Sequence, residues 1–212
     1  DYLIKVKEMP FTQAVETIMG NLSAAPPAFV PVSKAPKEKV LLLPQANRNT
    51  THAVEYLHRR GIDYELIDFC IQTGRLYESS PYHNVVFVGR DKEQNPRYAA
   101  MRGTDENRYR GEARGSEKAY GFGHIGTDEK LFVFESPIDL LSYITAVPEE
   151  WEKHSYISLG GLSEKAMKRM YTEYPHIHSI YLCLDNDEPG NERCRQFVSF
   201  IPEEFCVFRL EP

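Results

Sequence analysis

The stretch Ile180-Tyr181-Leu182-Cys183-Leu184-Asp185-Asn186-Asp187-Glu188-Pro189-Gly190 decides the fold of this chain. An apolar run meets three carboxylates and then a Pro-Gly pair. A segment this short, apolar on both faces and closed by turn residues, is expected to be a buried parallel strand whose acidic tip reaches the sheet edge. About fifty residues earlier, Leu131-Phe132-Val133-Phe134 closes on Glu135 in the same way. Two such tips side by side make a site for a divalent metal.

Working outward, strands are expected at 131–135, 155–159, 179–185 and 205–210, with helices at 137–147, 163–174 and 190–201 between them. This alternation implies right-handed crossovers and a parallel four-stranded α/β sheet with helices on both faces. Ligands of such sheets bind beyond the strand C-termini, where Glu135, Gly160-Gly161 and Asp185/Asp187 fall.

Upstream the order is mixed. The first twenty residues suggest a helix packed by Phe11, Ala14, Val15 and Ile18 and ending at Gly20. Residues 21–39 hold Pro26, Pro27, Pro31 and Pro36, which favours an extended linker. An extended Val40–Leu43 follows, then helices near Thr51–Arg60 and Asp63–Gln72, then strands Asn84–Val88 and Arg97–Met101 around a polar hairpin loop. Residues 107–118 have no clear period and much Gly and charge, and are expected to be a loop crossing a functional surface. The division expected is 1–39 helix and linker, 40–125 mixed α+β subdomain, and 126–212 parallel-sheet domain.

With 42% apolar and 12% aromatic residues, the 212-residue chain can build a packed core. It has no signal-peptide layout at its start and no apolar run that could span a membrane. Cys70, Cys183, Cys194 and Cys206 form no C-x-x-C pair, which fits reduced thiols in the cytoplasm. The net charge of −6 is unevenly spread: residues 90–118 carry eight Lys or Arg against six Asp or Glu. A local basic surface beside an acidic pocket is therefore expected.

Asp185 and Asp187 stand two apart on a chain leaving a strand, so both carboxylates can face one cation while Asn186 points elsewhere. Oxygen ligands of this kind suit Mg²⁺ or Mn²⁺. Taken alone, the same string serves equally well as a turn and helix N-terminus. Glu135 tips the balance toward metal, because a carboxylate at a strand tip raises its own pKa unless paired or metal-bound. Ser136, Pro137 and Asp139 read as a helix start, which accounts for Asp139 structurally. Gly160-Gly161 allows close backbone approach to a ligand, or simply a tight turn. Arg102, Arg108, Arg110, Arg114 and Lys118, interleaved with Tyr98, Tyr109 and Tyr120, have the composition of a single-strand binder. His176 and His178 read as a solvated connector.

Glu135 after one strand, Gly160-Gly161 after the next and Asp185-x-Asp187-x-x-Gly190 after the third resemble the toprim domain of primases, topoisomerases and certain nucleases. Upstream, Tyr56-Leu57-x-x-Arg60-Gly61-Ile62, Asn84–Asp91, Arg102-Gly103, Arg108-Tyr109 and Lys118–Gly121 resemble the polymerase core of DnaG-type primases in the same order. Toprim nucleases lack that series. The pattern is most similar to toprim proteins of plasmids and conjugative elements. Tyr98-Ala99-Ala100-Met101 departs from the Gly-rich strand that usually precedes the arginine.

The resemblance implies that Glu135, Asp185 and Asp187 hold Mg²⁺ and act in catalysis, with Asp139, Gly160, Gly161 and Gly190 in support. It also implies that Arg102, Arg108 and Lys118 contact nucleotide or template. The expected activity is primer synthesis on single-stranded DNA from ribonucleoside triphosphates during mobile-element replication or transfer, with a helicase or another replication protein as a further partner. A metal-dependent nuclease and a non-catalytic single-strand binder remain the alternatives. The opening residues resemble the tail following a CHC2-type zinc-binding domain, so zinc is expected only outside this chain, which is expected to be a piece of a longer protein.

Overall fold

Pro10 has no amide hydrogen and disfavours helix at the residue before it, so the N-terminal apolar stretch breaks in two. Helix α1 (Tyr2–Lys5) and helix α2 (Phe11–Gly20) replace the single helix expected there. Ala14 is buried, whereas Phe11 is 69% exposed and Val15 37% exposed, so these two do not pack as anticipated. The computed structural model describes residues 2–5, 7–20, 40–105, 109–161 and 163–211. The expected linker at 21–39, the side chain of Ile18 and Arg108 lie outside the described residues. The chain divides into two units, Asp1–Glu38 and Lys39–Pro212.

In the second unit, α3 (Thr51–Arg59) and α4 (Tyr64–Gln72) precede an antiparallel sheet of order β1-β2-β3-β4. Its strands are β1 (Leu76–Glu78), β2 (Val85–Arg90), β3 (Pro96–Arg102) and β4 (Arg110–Glu112). The β2–β3 hairpin is closed by the Asp91 amide donating to the Asn95 carbonyl (3.0 Å), as its polar loop suggested. Two elements correct the expected loop at 107–118: β4, and a 3₁₀ turn at Lys118–Tyr120. β4 is a three-residue edge strand, too short and too exposed to show a period, and forms because β3 offers it a ladder. Val40–Leu43 is not in a strand; Leu42 donates to the Arg114 carbonyl.

The C-terminal sheet has the order β5-β7-β6-β8-β9: β5 (Gly123–His124), β6 (Lys130–Phe134), β7 (Ser155–Ser158), β8 (Ser179–Cys183) and β9 (Cys206–Arg209). The four expected parallel strands are present, and β5 adds an antiparallel edge against β7. Helices α5 (Pro137–Ala146), α6 (Lys165–Glu173) and α7 (Glu188–Phe200) connect them.

Side chains alternate across β6. Leu131 and Val133 join one apolar cluster with Met167, Met170 and Phe197 of α6 and α7. Phe132 and Phe134 face the other way, into a cluster that takes in Leu141 of α5, Leu57 of α3 and Phe87 of β2. That second cluster packs the antiparallel sheet against the parallel one within the unit Lys39–Pro212. This packing also sets the arginines of β3 and β4 against the carboxyl edge of β6 and β8.

Candidate active site

Glu135 follows β6 directly. Ser136 then caps α5: its hydroxyl accepts from the Asp139 amide (3.4 Å) while Asp139 Oδ2 accepts from the Ser136 amide (3.2 Å) and hydroxyl (2.6 Å). This is the capping box that the spacing suggested, with Pro137 at the first turn. Beyond β8, Leu184 is buried and pins the chain before Asp185 emerges. The Asp185 amide donates to Glu135 Oε1 (3.3 Å), joining the two strand tips.

The Asp185 turn is held from β9. Arg209 donates to the carbonyls of Leu182 (3.3 Å), Leu184 (2.7 Å) and Asp185 (3.2 Å) and to Asn191 Oδ1 (3.2 Å). Asp187 is the N-cap of α7, its Oδ1 accepting from the Gly190 amide (2.8 Å). Gly190 is required there because a Cβ would stand 2.1 Å from the Asp185 carbonyl oxygen.

Gly160 and Gly161 have φ of +61° and +109°, and a Cβ on Gly160 would meet the Tyr98 hydroxyl at 2.2 Å. The Gly161 amide is not left open for an anion; it donates to the Glu135 carbonyl (3.2 Å). Lys118 donates to Glu112 Oε1 (2.7 Å) and to the Gly160 carbonyl (3.0 Å), and the Tyr98 hydroxyl donates to the same Glu112 oxygen (3.0 Å). These contacts bolt β3 and β4 to the turn after β7.

A cleft of about 730 Å³ lies between the sheets. One wall carries Glu135, Asp139 and Asp185; the other carries Arg60, Arg102 and Arg110. It opens toward an adjoining hollow of about 500 Å³, where Arg59 and Tyr56 of α3 join the same three arginines. Of the residues anticipated and described, Asp187, Arg114, Lys118 and Gly190 do not line either space. Arg59 and Arg60 were not singled out as site residues. Their trace in the sequence is a basic pair just before Gly61, which reads as a helix C-terminus. Arg209 leaves no trace at all.

Burial raises the Glu135 carboxyl above the usual carboxylate range, and the charges of Asp185, Asp187 and Asp139 add to this against the hydrogen bond from the Asp185 amide. Asp185 is also raised, by burial and then by Asp139 and Asp187, although Arg110 and Arg209 pull it back. Asp187 therefore acts on the cleft through its charge while its oxygen caps α7.

Residues 132–211 match the family described as Toprim-like, and residues 55–128 match one described as Protein of unknown function (DUF3991). Residues 132–211 form a Toprim-like domain. An uncharacterized protein of Bacillus anthracis, pXO2-78, is 30% identical over 165 residues, covering 70% of this chain and 47% of the relative. The chain thus spans about half the length of that relative. Among solved structures, the primase fragment of the bacteriophage T7 primase-helicase protein superposes with a TM-score of 0.55 at 20% identity, over 71% of this chain and 62% of that one. The DnaG primase catalytic domain bound to ssDNA gives 0.51 at 15% identity, over 78% and 67%. The fold is that of toprim and primase catalytic cores.

The acidic wall of the Toprim-like domain fits a hard divalent cation. Among the described residues no Lys, Arg or His forms an ion pair with Glu135, Asp139, Asp185 or Asp187, and the first and third of these are raised by burial and then by the neighbouring carboxylates. A carboxylate group left unneutralised in this way, with oxygen donors only, is the donor set of Mg²⁺ or Mn²⁺. The four cysteines are free thiols, Cys70, Cys183 and Cys194 buried. No described helix is long and apolar enough to cross a membrane.

Proposed function

We propose that this cleft carries out nucleotidyl transfer, extending an RNA primer on single-stranded DNA in the manner of a primase core. The single observation that carries the proposal is a carboxylate wall and an arginine wall facing each other across one cleft. That opposition suits a substrate with a triphosphate and a polynucleotide backbone, since one wall requires cations and the other binds phosphate.

In this reading Glu135 and Asp185 hold Mg²⁺ or Mn²⁺, with Asp139 or Asp187 completing the set. When bound, the ion supplies charge neutralisation and Lewis acidity at the phosphoryl oxygens. Arg60, Arg102 and Arg110 grip the triphosphate or the template backbone, a role that the resemblance also assigns to Arg108. Lys118, by its contacts with Glu112 and the Gly160 carbonyl, positions the wall. Gly160 and Gly190 let the backbone of the two turns sit close to their neighbours. The setting the family resemblance implies is replication or transfer of a mobile element, beside a helicase or polymerase.

The test is extension of a pre-annealed RNA primer on a single-stranded DNA template with labelled ribonucleotides and Mn²⁺, which bypasses initiation. Incorporation by the wild type and none by folded Asp185→Asn supports the proposal. Cleavage of template without incorporation reassigns the cleft to a nuclease. Metal-independent binding without turnover reduces it to a single-strand binding module.

A further inference from the structure

At the start of α3, whose later residues border the arginine hollow, stands a second cluster that the cleft chemistry does not use. Glu78 ends β1 with its side chain wholly buried. A carboxylate there must be well partnered, because burying a lone charge costs several kcal/mol. Its Oε2 accepts from the Ala53 amide (3.0 Å) in the first turn of α3, where Thr50 offers no side-chain cap. Oε1 accepts from Asn47 Nδ2 (2.7 Å). Burial raises the Glu78 carboxyl, but the bonds from His83, Ala53 and Asn47 outweigh it and the net direction is down.

Two imidazoles then converge on the same Oε1. His83 Nδ1 lies 2.5 Å from it and His52 Nδ1 3.4 Å, with the ring centroids 4.3 Å apart. Oε1 has hydrogen bonds with Asn47 and His83, while the His52 nitrogen stands 3.4 Å away without one. A cation between them would engage all three ligand atoms, both nitrogens then presenting lone pairs rather than protons. Among the described residues this is the only set of three His, Cys, Asp or Glu whose ligand atoms all lie within 4.8 Å of one another.

The backbone fixes the loop that carries the second ring. His83 has φ of +53°, a left-handed conformation in which His, like Asn and Asp, is enriched among non-glycine residues. It is held by its amide donating to the Ser79 carbonyl (2.9 Å) and by its carbonyl accepting from the Thr104 hydroxyl (3.0 Å). Glycine would close this loop with less strain; histidine supplies a ring aimed at Glu78.

We propose that His52, Glu78 and His83 form a second metal centre, for Zn²⁺ or a similar divalent transition ion, separate from the carboxylate cleft. Two imidazole nitrogens and one carboxylate oxygen suit such an ion, whereas Mg²⁺ prefers oxygen alone. Tetrahedral bonds of about 2.0–2.1 Å separate ligand atoms by roughly 3.3 Å. The His52 contact is already at that spacing, and the His83 contact opens by about 0.8 Å, its Nδ1 proton passing to Nε2 as the nitrogen binds. The histidine side chains are 55% and 42% exposed, which leaves the fourth position to water. The ion would join the start of α3, the end of β1 and the 79–84 loop. Through Thr104 it would also brace the wall that bears Arg102.

The probe is Co²⁺ added to the metal-stripped full chain, followed by its visible absorption and displaced by Zn²⁺. One equivalent with a four-coordinate spectrum is expected, bound at least tenfold more weakly in His52→Ala and in His83→Asn. Asparagine keeps the left-handed backbone, so folding is preserved where Glu78 variants would uncap α3. Asp185→Asn should retain the spectrum. No spectrum in the wild type, unchanged affinity in the double histidine variant, or loss of the signal in Asp185→Asn overturns the assignment.

Discussion

Gly190→Ala isolates the geometry of the Asp185 turn. The new Cβ would lie 2.1 Å from the Asp185 carbonyl oxygen. Ordinary C···O contact begins near about 3.3 Å, so the turn must retreat by roughly 1.2 Å. Backbone is what blocks the methyl, so no side chain can swing aside. Metal–ligand distances tolerate only about 0.2 Å, and the displaced residue carries the carboxylate assigned to the ion. Overpacking of this kind costs about 1–3 kcal/mol, partly offset by up to about 1 kcal/mol from the better helix propensity of alanine. At about 2–4 °C per kcal/mol for a chain of this size, a net cost of about 2 kcal/mol lowers the melting temperature by about 4–8 °C. Mn²⁺ affinity, read from the electron paramagnetic resonance signal of the free ion, should drop at least tenfold while circular dichroism shows the fold retained. A folded Gly190→Ala protein with wild-type Mn²⁺ affinity would refute the assignment of Asp185 as a ligand.

Other perturbations separate charge from architecture. Glu135 and Asp185 have raised carboxyls, so their stabilising contribution is present below the unfolded pKa and lost as pH rises through the folded values. Metal-free Glu135→Gln or Asp185→Asn should therefore melt higher than wild type at pH 7, by no more than about 1 kcal/mol because solvent screens Asp185. The advantage should vanish toward pH 4 in calorimetric scans. Arg110→Ala should weaken single-stranded DNA binding and flatten its log–log salt dependence by about 0.7, measured by fluorescence anisotropy, while Arg114→Ala outside the cleft changes neither. Lys118→Met should cost about 1 kcal/mol in urea unfolding by releasing Glu112 and the Gly160 carbonyl, with the salt slope unaltered.

Short apolar runs ending in acid or glycine are enough to specify parallel strands and their order in the chain, because burial on both faces and turn chemistry at the tip are local properties. They announced β6, β7 and β8, the capping box of α5, and Glu135 and Asp185 as neighbours at one sheet edge. The hairpin of β2 and β3 was equally legible from its polar loop. β1, β4 and β5 were not, since two- and three-residue strands carry no period and exist only because a partner ladder is waiting. The helix break at Pro10 is also a local property, and the single helix expected over the first twenty residues left it out.

Pairing across long separations was decided by tertiary structure alone. Phe87 and Leu57 share one apolar cluster with Phe132 and Phe134, and that packing sets arginines opposite carboxylates. The same packing gives Lys118 an anchoring contact, recruits Arg60 from a helix end, and sets Arg209 beneath the Asp185 turn. It also brings His52, Glu78 and His83 together from a helix, a strand and a loop. Composition and spacing along the chain select which groups are available, but only side-chain burial between distant segments determines which of them face one another.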